Sequence, residues 1–103
     1  MSLSDGNFHI IPLMDLTQPS ERDKIYPVLE EVTDLVLEYK GSLSGEHNDG
    51  LIRGPMLERM YGPKVAKLMQ SVKRIFDPDD LFNPHKKTEA TMEFSKSHMR
   101  ERF

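Results

Sequence analysis

The stretch IYPVLEEVTDLVLEY, residues 25–39, carries the clearest periodic signal in the chain. Its apolar residues recur at three- and four-residue steps, the spacing that places side chains on one face of an α-helix. Pro27 interrupts the pattern, so either the helix is kinked there or its regular part begins near Tyr26. Lys40 and Gly41 form a favourable C-terminus, a cation followed by a residue that tolerates positive φ. The apolar stripe consists of Ile25, Val28, Leu29, Val32, Leu35, Val36 and Tyr39.

Two further helices are predicted downstream of this stretch. GPMLERMYG, residues 54–62, favours a short helix with Pro55 in its first turn. A longer amphipathic helix opens at Pro63, and its cations are expected on a solvated face; they are Lys64, Lys67, Lys73 and Arg74. DPDDLFNP, residues 77–84, ends that helix because its prolines limit regular structure. The tail that follows is either a docked helix or a mobile end.

Upstream, the alternation in NFHIIPLMDL, Asn7–Leu16, favours a β-strand. Pro12 cannot donate a ladder hydrogen bond, so we expect an edge strand or an irregular one. Ser42–Ser44 is predicted to be a second, short strand that runs into a loop. These elements indicate an α+β fold. Two strands alone are marginal in water, and we therefore expect the chain to be the end of a larger α+β domain.

Composition narrows the class of protein. The chain has 103 residues, a formal net charge of −3 and no cysteine. The acidic balance gives no reason to expect nucleic acid or an anionic membrane as a partner. Without cysteine there is no disulfide framework and no thiolate site, which is compatible with a cytoplasmic protein. No apolar run reaches the length of a transmembrane segment, and the N-terminus lacks a signal-peptide pattern.

Two short motifs contain residues that could carry chemistry. DGNFH, residues 5–9, ends in a histidine on the expected strand, and alone it is best interpreted as a partly exposed strand histidine. SGEHNDGLIRG, residues 44–54, sets Glu46 beside His47 between glycines. That segment is either an ordinary polar loop or an active-site loop whose glycines allow a close approach of the backbone.

The order of the motifs is more specific than any one of them. DGNFH, a helix, SGEHNDGLIRG, a YGP helix start and VKRIFDPDDLFNPHK resemble, in this order, the C-terminal region of FAD-linked oxidases of the vanillyl-alcohol-oxidase type. These include D-lactate dehydrogenases, the glycolate oxidase D subunit and D-2-hydroxyglutarate dehydrogenases. The resemblance covers residues 4–86 and leaves 87–103 as a charged C-terminal tail. It implies part of a ferredoxin-like cap domain, two strands plus amphipathic helices, with a C-terminal helical subdomain.

The resemblance also implies roles for particular residues. His9 and Glu46 match ligands of a divalent metal such as zinc, and His47 matches a residue that contacts substrate and takes its hydroxyl proton. The motif's other histidine falls at Ser2, so we expect the chain to begin within the metal motif, with one ligand missing. Neighbouring residues of an extended segment point to opposite sides. Glu46 is therefore expected to face the metal while His47 faces substrate and flavin.

Four further positions follow from the same resemblance. Asn48 stands where the family motif has glycine, and because asparagine tolerates positive φ, we expect the turn to survive. Arg53 is a candidate for the substrate carboxylate, or a solvated surface arginine. Asn7 and Asn83 match positions near the flavin and are candidate cofactor contacts.

The sequence is compatible with two functions from different classes. The first is the substrate- and metal-site part of an FAD-dependent oxidoreductase acting on a 2-hydroxy acid, inactive alone and partnered by an N-terminal FAD-binding domain. The second is a non-catalytic binding or structural module that forms a homo-oligomer to cover an open sheet edge.

Overall fold

The computed structural model describes residues 6–101, and in this range the chain is helical. The helices are α1 (Pro19–Arg22), α2 (Ile25–Glu38), α3 (Leu57–Phe76) and α4 (Met92–Ser97), and two 3₁₀ turns cover Gly54–Met56 and Lys87–Glu89. The two 3₁₀ turns pack against each other and against α3. This junction joins the middle of the chain to its C-terminal part.

Helix α2 forms where the apolar periodicity predicts it, beginning at Ile25. Pro27 lies in the first turn, where its missing N–H removes no intrahelical bond, so no kink is needed. The helix buries Tyr26 and Thr33, and the Thr33 hydroxyl donates to the carbonyl of Leu29 at 2.6 Å. Beyond the end of the helix, the N–H of Gly41 donates to the carbonyl of Val36 in the last turn at 2.8 Å. This bond satisfies a carbonyl at the helix terminus.

Helix α3 is broken at Gly62, which has φ +80° and ψ 161°. A residue with a side chain adopts that conformation only under strain, and Pro63 begins the second part with its φ already suited to a helix. The expected pair of helices on either side of Gly62 is therefore confirmed. Leu57 and Ala66 are the buried residues of α3.

The junction between the 3₁₀ turns requires glycine at position 54. A Cβ there would lie 2.5 Å from the Cβ of Ala90 and 2.9 Å from the carbonyl oxygen of Lys87. Beside it, Met56 is only 2% exposed. Any side chain at position 54 would force the two turns apart.

The C-terminal segment docks as a helix, which was one of the two expected alternatives. Thr91 caps α4 by accepting from the N–H of Phe94 at 3.2 Å. The buried Ser95 hydroxyl donates to the carbonyl of Leu51 at 2.7 Å. Helix α4 is therefore held against the segment that leads into the junction.

The turn after α3 is organised by Asp77 rather than left to solvent. Its carboxylate accepts from the N–H groups of Leu81 and Phe82, each at 2.9 Å, and from the Lys73 ammonium. Lys73 also lies 3.0 Å from Asp80. The hydrogen bond from Lys73 lowers the pKa of Asp77, and the same contact raises the pKa of Lys73. The expectation that Lys73 lies on a solvated face was wrong.

The prediction of an α+β fold with two strands of a ferredoxin-like cap is wrong for residues 6–101, which contain no strand. The segments Asn7–Leu16 and Ser42–Ser44 have no ladder partner in this range. Alternation predicts a strand only if one face is buried, yet Phe8 is 78% and Leu13 98% exposed. Pro12 removes a donor as well. Both segments are irregular connections.

Much apolar surface remains exposed on the described part of the chain. Both helical stripes contribute to it: Val28 and Leu35 of α2 are 50% and 56% exposed, and Leu68 of α3 is 65% exposed. Ile75 and Phe76 at the end of α3 are more exposed still. Among the described residues, no helix combines the length and apolarity needed to cross a membrane.

Candidate active site and metal-ligating cluster

A small polar pocket of about 210 Å³ lies between the N-terminal segment and the loop that follows α2. The pocket brings together five of the six residues to which the sequence assigned a role, Asn7, His9, Glu46, His47 and Arg53. They come from two separate segments of the chain, residues 7–9 and residues 46–53.

The two segments that form this pocket approach each other at Gly45. A Cβ at position 45 would lie 2.5 Å from the side-chain nitrogen Nδ2 of Asn7. The glycine thus allows Asn7 and its neighbour His9 to reach the Glu46–His47 pair. The sequence associated this glycine with a close backbone approach, and in the structure the approaching group is the side chain of Asn7.

Three ligand-type side chains converge in the pocket. His9 Nε2 lies 2.5 Å from Glu46 Oε1, and His47 Nε2 lies 3.4 Å from the same oxygen. One donor atom from each of the three residues lies within 4.8 Å of the others. The two imidazole rings meet edge to face, with centroids 5.6 Å apart. All three residues are exposed, so the cluster opens to solvent.

The chemistry of this cluster suits a divalent metal. Two imidazole nitrogens and one carboxylate oxygen form a donor set that zinc accepts, and catalytic zinc sites use three protein ligands with an open position. The exposed side of the cluster leaves room for that open position. The residues present therefore fit a metal of the zinc type.

The loop that carries Glu46 and His47 turns at Asn48, which has φ +64°. The expectation that asparagine sustains this turn in place of glycine is confirmed. The guanidinium of Arg53 donates to the carbonyl of Asn48, and Lys87 donates to its side-chain oxygen at 2.5 Å. Lys87 also pairs with the buried Asp49 at 2.9 Å. The loop is anchored to the junction through this pair.

Asn7 has an unmet hydrogen-bonding capacity inside the pocket. Its side-chain oxygen is buried and has no partner among the described residues. A buried amide oxygen without a partner is costly, so a ligand N–H or O–H would find an acceptor there. This observation fits a bound cofactor or substrate.

A second, larger cavity of about 960 Å³ adjoins the first, and His47 lines both. It is an open apolar groove along α3, with Val65, Leu68, Val72 and Phe76 in its wall. Asn83 lines this groove and not the polar pocket. The sixth assigned residue is therefore separated from the metal-type donors, and His47 lies where the two cavities meet.

The side chains of Glu46 and His47 are arranged differently from the expectation that one faces a metal and the other faces substrate and flavin. We expected the two side chains to point to opposite sides of an extended segment. Instead, the His47 imidazole lies beside the Glu46 carboxylate while also lining the groove. The chain bends at this loop, so strand-like alternation does not apply.

Sequence reasoning missed two lysines that support the site. Lys87 reaches the loop from 38 residues away in sequence, a pairing for which the sequence carries no local signal. Lys73 lines the groove and holds the turn after α3 through Asp77. The four-residue spacing of Lys73 and Asp77 is a signal that could have identified this pair.

Residues 3–87 match the family described as FAD linked oxidases, C-terminal domain. The chain belongs to this family, as the order of its motifs predicted.

Named relatives agree with this assignment. A probable mitochondrial D-lactate dehydrogenase of Danio rerio is 32% identical over 86% of this chain. The glycolate oxidase subunit GlcD of Escherichia coli is 33% identical over 80% of the chain, and a D-2-hydroxyglutarate dehydrogenase of Stutzerimonas stutzeri is 32% identical over 82%. The matched regions are 18%, 16% and 18% of these relatives, so the chain spans less than a fifth of their length. No solved structure matches the chain significantly.

Proposed function

We propose that this chain supplies the substrate- and metal-binding residues of an FAD-dependent oxidoreductase that oxidises a 2-hydroxy acid. The observation that carries the proposal is the convergence of His9, Glu46, His47 and Arg53 on one pocket. Relatives named for D-lactate, glycolate and D-2-hydroxyglutarate support the substrate class, since all three compounds are 2-hydroxy acids.

Oxidation of a 2-hydroxy acid removes a hydride from C2, which bound FAD accepts, and a proton from the hydroxyl, which must go to a base. In the proposal the imidazole of His47 takes that proton, because an unprotonated ring nitrogen accepts protons readily near neutral pH. The product is the corresponding 2-oxo acid. His47 suits this role because it lines both the polar pocket and the apolar groove.

The other residues bind and orient the substrate. Arg53 lines the same pocket, and one of its N–H groups donates to Asn48, which leaves further donors for a carboxylate. His9 and Glu46 would hold a divalent metal, which would polarise the substrate oxygens. Asn7 and Asn83 are the proposed contacts to the cofactor, on the two sides of His47.

The proposed partner is an N-terminal FAD-binding domain, which would cover the exposed apolar groove along α3. Two observations support this partner. The groove is continuous with the pocket at His47, and more than four-fifths of each named relative lies outside the matched region. Burying the exposed Leu68, Ile75 and Phe76 would favour association by the hydrophobic effect.

A chimera tests this function directly. Residues 3–87 replace the matched segment of the Escherichia coli glycolate oxidase subunit, and the purified protein is mixed anaerobically with glycolate, D-lactate or D-2-hydroxyglutarate. We expect the flavin absorbance to bleach with at least one of these acids. We expect His47→Ala to slow the bleaching about 10²–10⁴-fold.

His85→Ala is the matched control, because His85 is an exposed histidine that lines neither cavity. It is expected to leave the bleaching rate unchanged. An FAD-loaded chimera that none of the three acids reduces, or a His47→Ala chimera as fast as the control, would contradict the proposal.

A further inference from the structure

Helix α4, Met92–Ser97, follows the region of the chain that matches the family. The helix nevertheless contacts the loop of residues 44–54, the site loop, which carries His47 and Arg53 of the proposed site. We propose that α4 positions the site loop for the reaction and that Ser95 is the positioning residue. The inference rests on the proposed function for its effect on the reaction, and not for the contact itself.

The contact between α4 and the site loop is made by a buried side chain. The Ser95 hydroxyl donates to the carbonyl of Leu51 at 2.7 Å, and Ser95 is only 2% exposed. Leu51 lies four residues after His47 and two residues before Arg53. The hydrogen bond therefore holds the backbone between the proposed base and the proposed contact to the substrate carboxylate.

The site loop needs this support because little regular structure holds it. Residues 44–53 lie in no helix or strand, and Gly50 adopts φ +57°. Two backbone hydrogen bonds contribute, from the Arg53 N–H to the carbonyl of Asp49 at 3.1 Å and from the Lys87 N–H to the carbonyl of Gly50 at 2.8 Å. A further fixed point reduces the number of conformations that the irregular backbone can adopt.

Helix α4 is itself anchored by contacts of its side chains. The ring of Phe94 stacks with the rings of His85 and His98, with centroid distances of 4.2 and 3.9 Å. The Lys96 ammonium lies 5.4 Å from the centroid of the Tyr26 ring in α2, within the range of a cation–π contact. These contacts fix the helix that presents the hydroxyl donor to the site loop.

The phenol of Tyr26 connects helix α2 to the same serine. Burial raises the pKa of Tyr26, and a side-chain hydrogen bond with Ser95 opposes that rise. Tyr26 is 4% exposed and lies in the first turn of α2. Ser95 therefore joins α2, α4 and the site loop at one buried point.

The consequence for the proposed reaction is geometric. A displacement of about 1 Å at a reacting group can cost on the order of 10²-fold in rate. Without the Ser95 hydroxyl, the Leu51 carbonyl loses this hydrogen bond, and the turn that contains it opens more readily. His47 and Arg53 then adopt the productive arrangement less often, so the rate falls although neither residue is altered.

Amide hydrogen exchange of the chain, residues 1–103, tests the contact without any flavin chemistry. We expect Ser95→Ala to speed exchange of the Arg53 amide, which donates within the site loop, about 2- to 12-fold, the size expected for the loss of one hydrogen bond. The amide of Gly41, which donates to the last turn of α2, is the internal reference and should be unchanged. Unchanged exchange at Arg53, or equal acceleration at Arg53 and Gly41, would overturn the inference.

Ser97→Ala is the matched control for this measurement. Ser97 is an exposed serine of the same helix, and its hydroxyl donates to the carbonyl of Phe94 within α4 at 2.9 Å. The control removes one hydroxyl from α4 and leaves the contact with the site loop intact. It is expected to leave exchange of the Arg53 amide unchanged, and a control that accelerates this amide as much as Ser95→Ala would contradict the inference.

The flavin assay tests the consequence for the reaction. The glycolate oxidase chimera is extended to carry residues 3–103, and the first-order rate constant of bleaching is measured at saturating acid. We expect Ser95→Ala to lower this constant at least about tenfold, and Ser97→Ala to leave it unchanged. A loss of folded protein changes the amplitude of bleaching and not this constant, so a merely structural role of Ser95 would not lower it.

The outcomes separate this inference from the proposed function. A Ser95→Ala chimera that bleaches as fast as the Ser97→Ala chimera would overturn the positioning role and leave the proposed function intact. A chimera that none of the acids reduces would contradict the proposed function, and hydrogen exchange of the isolated chain would then decide whether α4 holds the site loop.

Discussion

The polar pocket and the 3₁₀ junction are held together in opposite ways. The pocket consists of exposed side chains on irregular segments, with His9, Glu46 and His47 all open to solvent. The junction consists of close backbone packing, with Gly54 against Ala90 and with buried Met56. The loop at Asn48 and Asp49 links the two regions through Lys87, and Arg53 joins them along the chain, because it lines the pocket and directly precedes Gly54.

This contrast separates the residues that stabilise the fold from the residues proposed to bind ligands. Removing atoms from the junction leaves a cavity that the surrounding structure cannot fill. When a side chain of the pocket is removed, water fills the space that it occupied and replaces the lost contact. Variants of the two regions should therefore separate into those that unfold the chain and those that change only ligand binding.

The largest effect is expected from Met56→Ala. Met56 is 2% exposed, and truncating a buried methionine costs about 2–5 kcal/mol of unfolding free energy through lost burial and the cavity left behind. Urea denaturation followed by circular dichroism measures the loss. Leu13→Ala is the control, because Leu13 is 98% exposed and should change stability little. Equal losses for the two variants would show that the junction is not the core.

The anchor between the two regions is tested by Asp49→Asn. This variant removes the charge that pairs with Lys87 from a buried position, and we expect a loss of about 1.5–3 kcal/mol in unfolding free energy. Asp34→Asn is the matched control, since Asp34 pairs with Arg59 at the surface and should cost below about 1 kcal/mol. A smaller loss of unfolding free energy for Asp49→Asn than for Asp34→Asn would contradict the proposal that this pair anchors the loop to the junction.

The turn after α3 should make stability depend on acid pH. The pKa of Asp77 is lowered by its hydrogen bond from Lys73, so its contribution is present above the unfolded value of about 3.9. That contribution is lost as the pH falls through the lower folded value. Urea midpoints measured between neutral pH and about pH 2.5 should fall less steeply for Asp77→Asn than for the parent. The exposed Asp79→Asn should retain the parent's dependence.

The smallest effect on stability is expected in the pocket itself. Glu46→Gln removes an exposed contact with His9, so the unfolding free energy should change by less than about 1 kcal/mol. The same variant should also lose affinity for a divalent metal, because Glu46 is one of the two proposed metal ligands. A loss of stability as large as that of Asp49→Asn would mean that the pocket belongs to the core, and the contrast between the two regions would fail.

Local signals predicted the helices well and the irregular segments poorly. The apolar periodicity of residues 25–39 and the Gly62–Pro63 pair are local features, and α2 and the break in α3 lie where they predict. The alternation in residues 7–16 is also local. A strand, however, needs a neighbouring chain segment, and no ladder partner exists in residues 6–101.

The same division holds for the candidate site. The order of the motifs identified the family. It also led to six candidate site residues, because residue type and spacing along the chain can be determined from the sequence alone. The sequence also carried the turn at Asn48, whose φ depends on its own side chain.

Only the tertiary structure decided how the assigned residues meet. It brings His47 beside Glu46, sets Asn83 in a separate groove, and ties the loop to Lys87 across 38 residues. It also leaves Leu35 and Leu68 of the two apolar stripes exposed, while Tyr26 and Ala66 are buried. The physical reason is that such contacts depend on the packing of segments distant in sequence, and neither periodicity nor spacing records that packing.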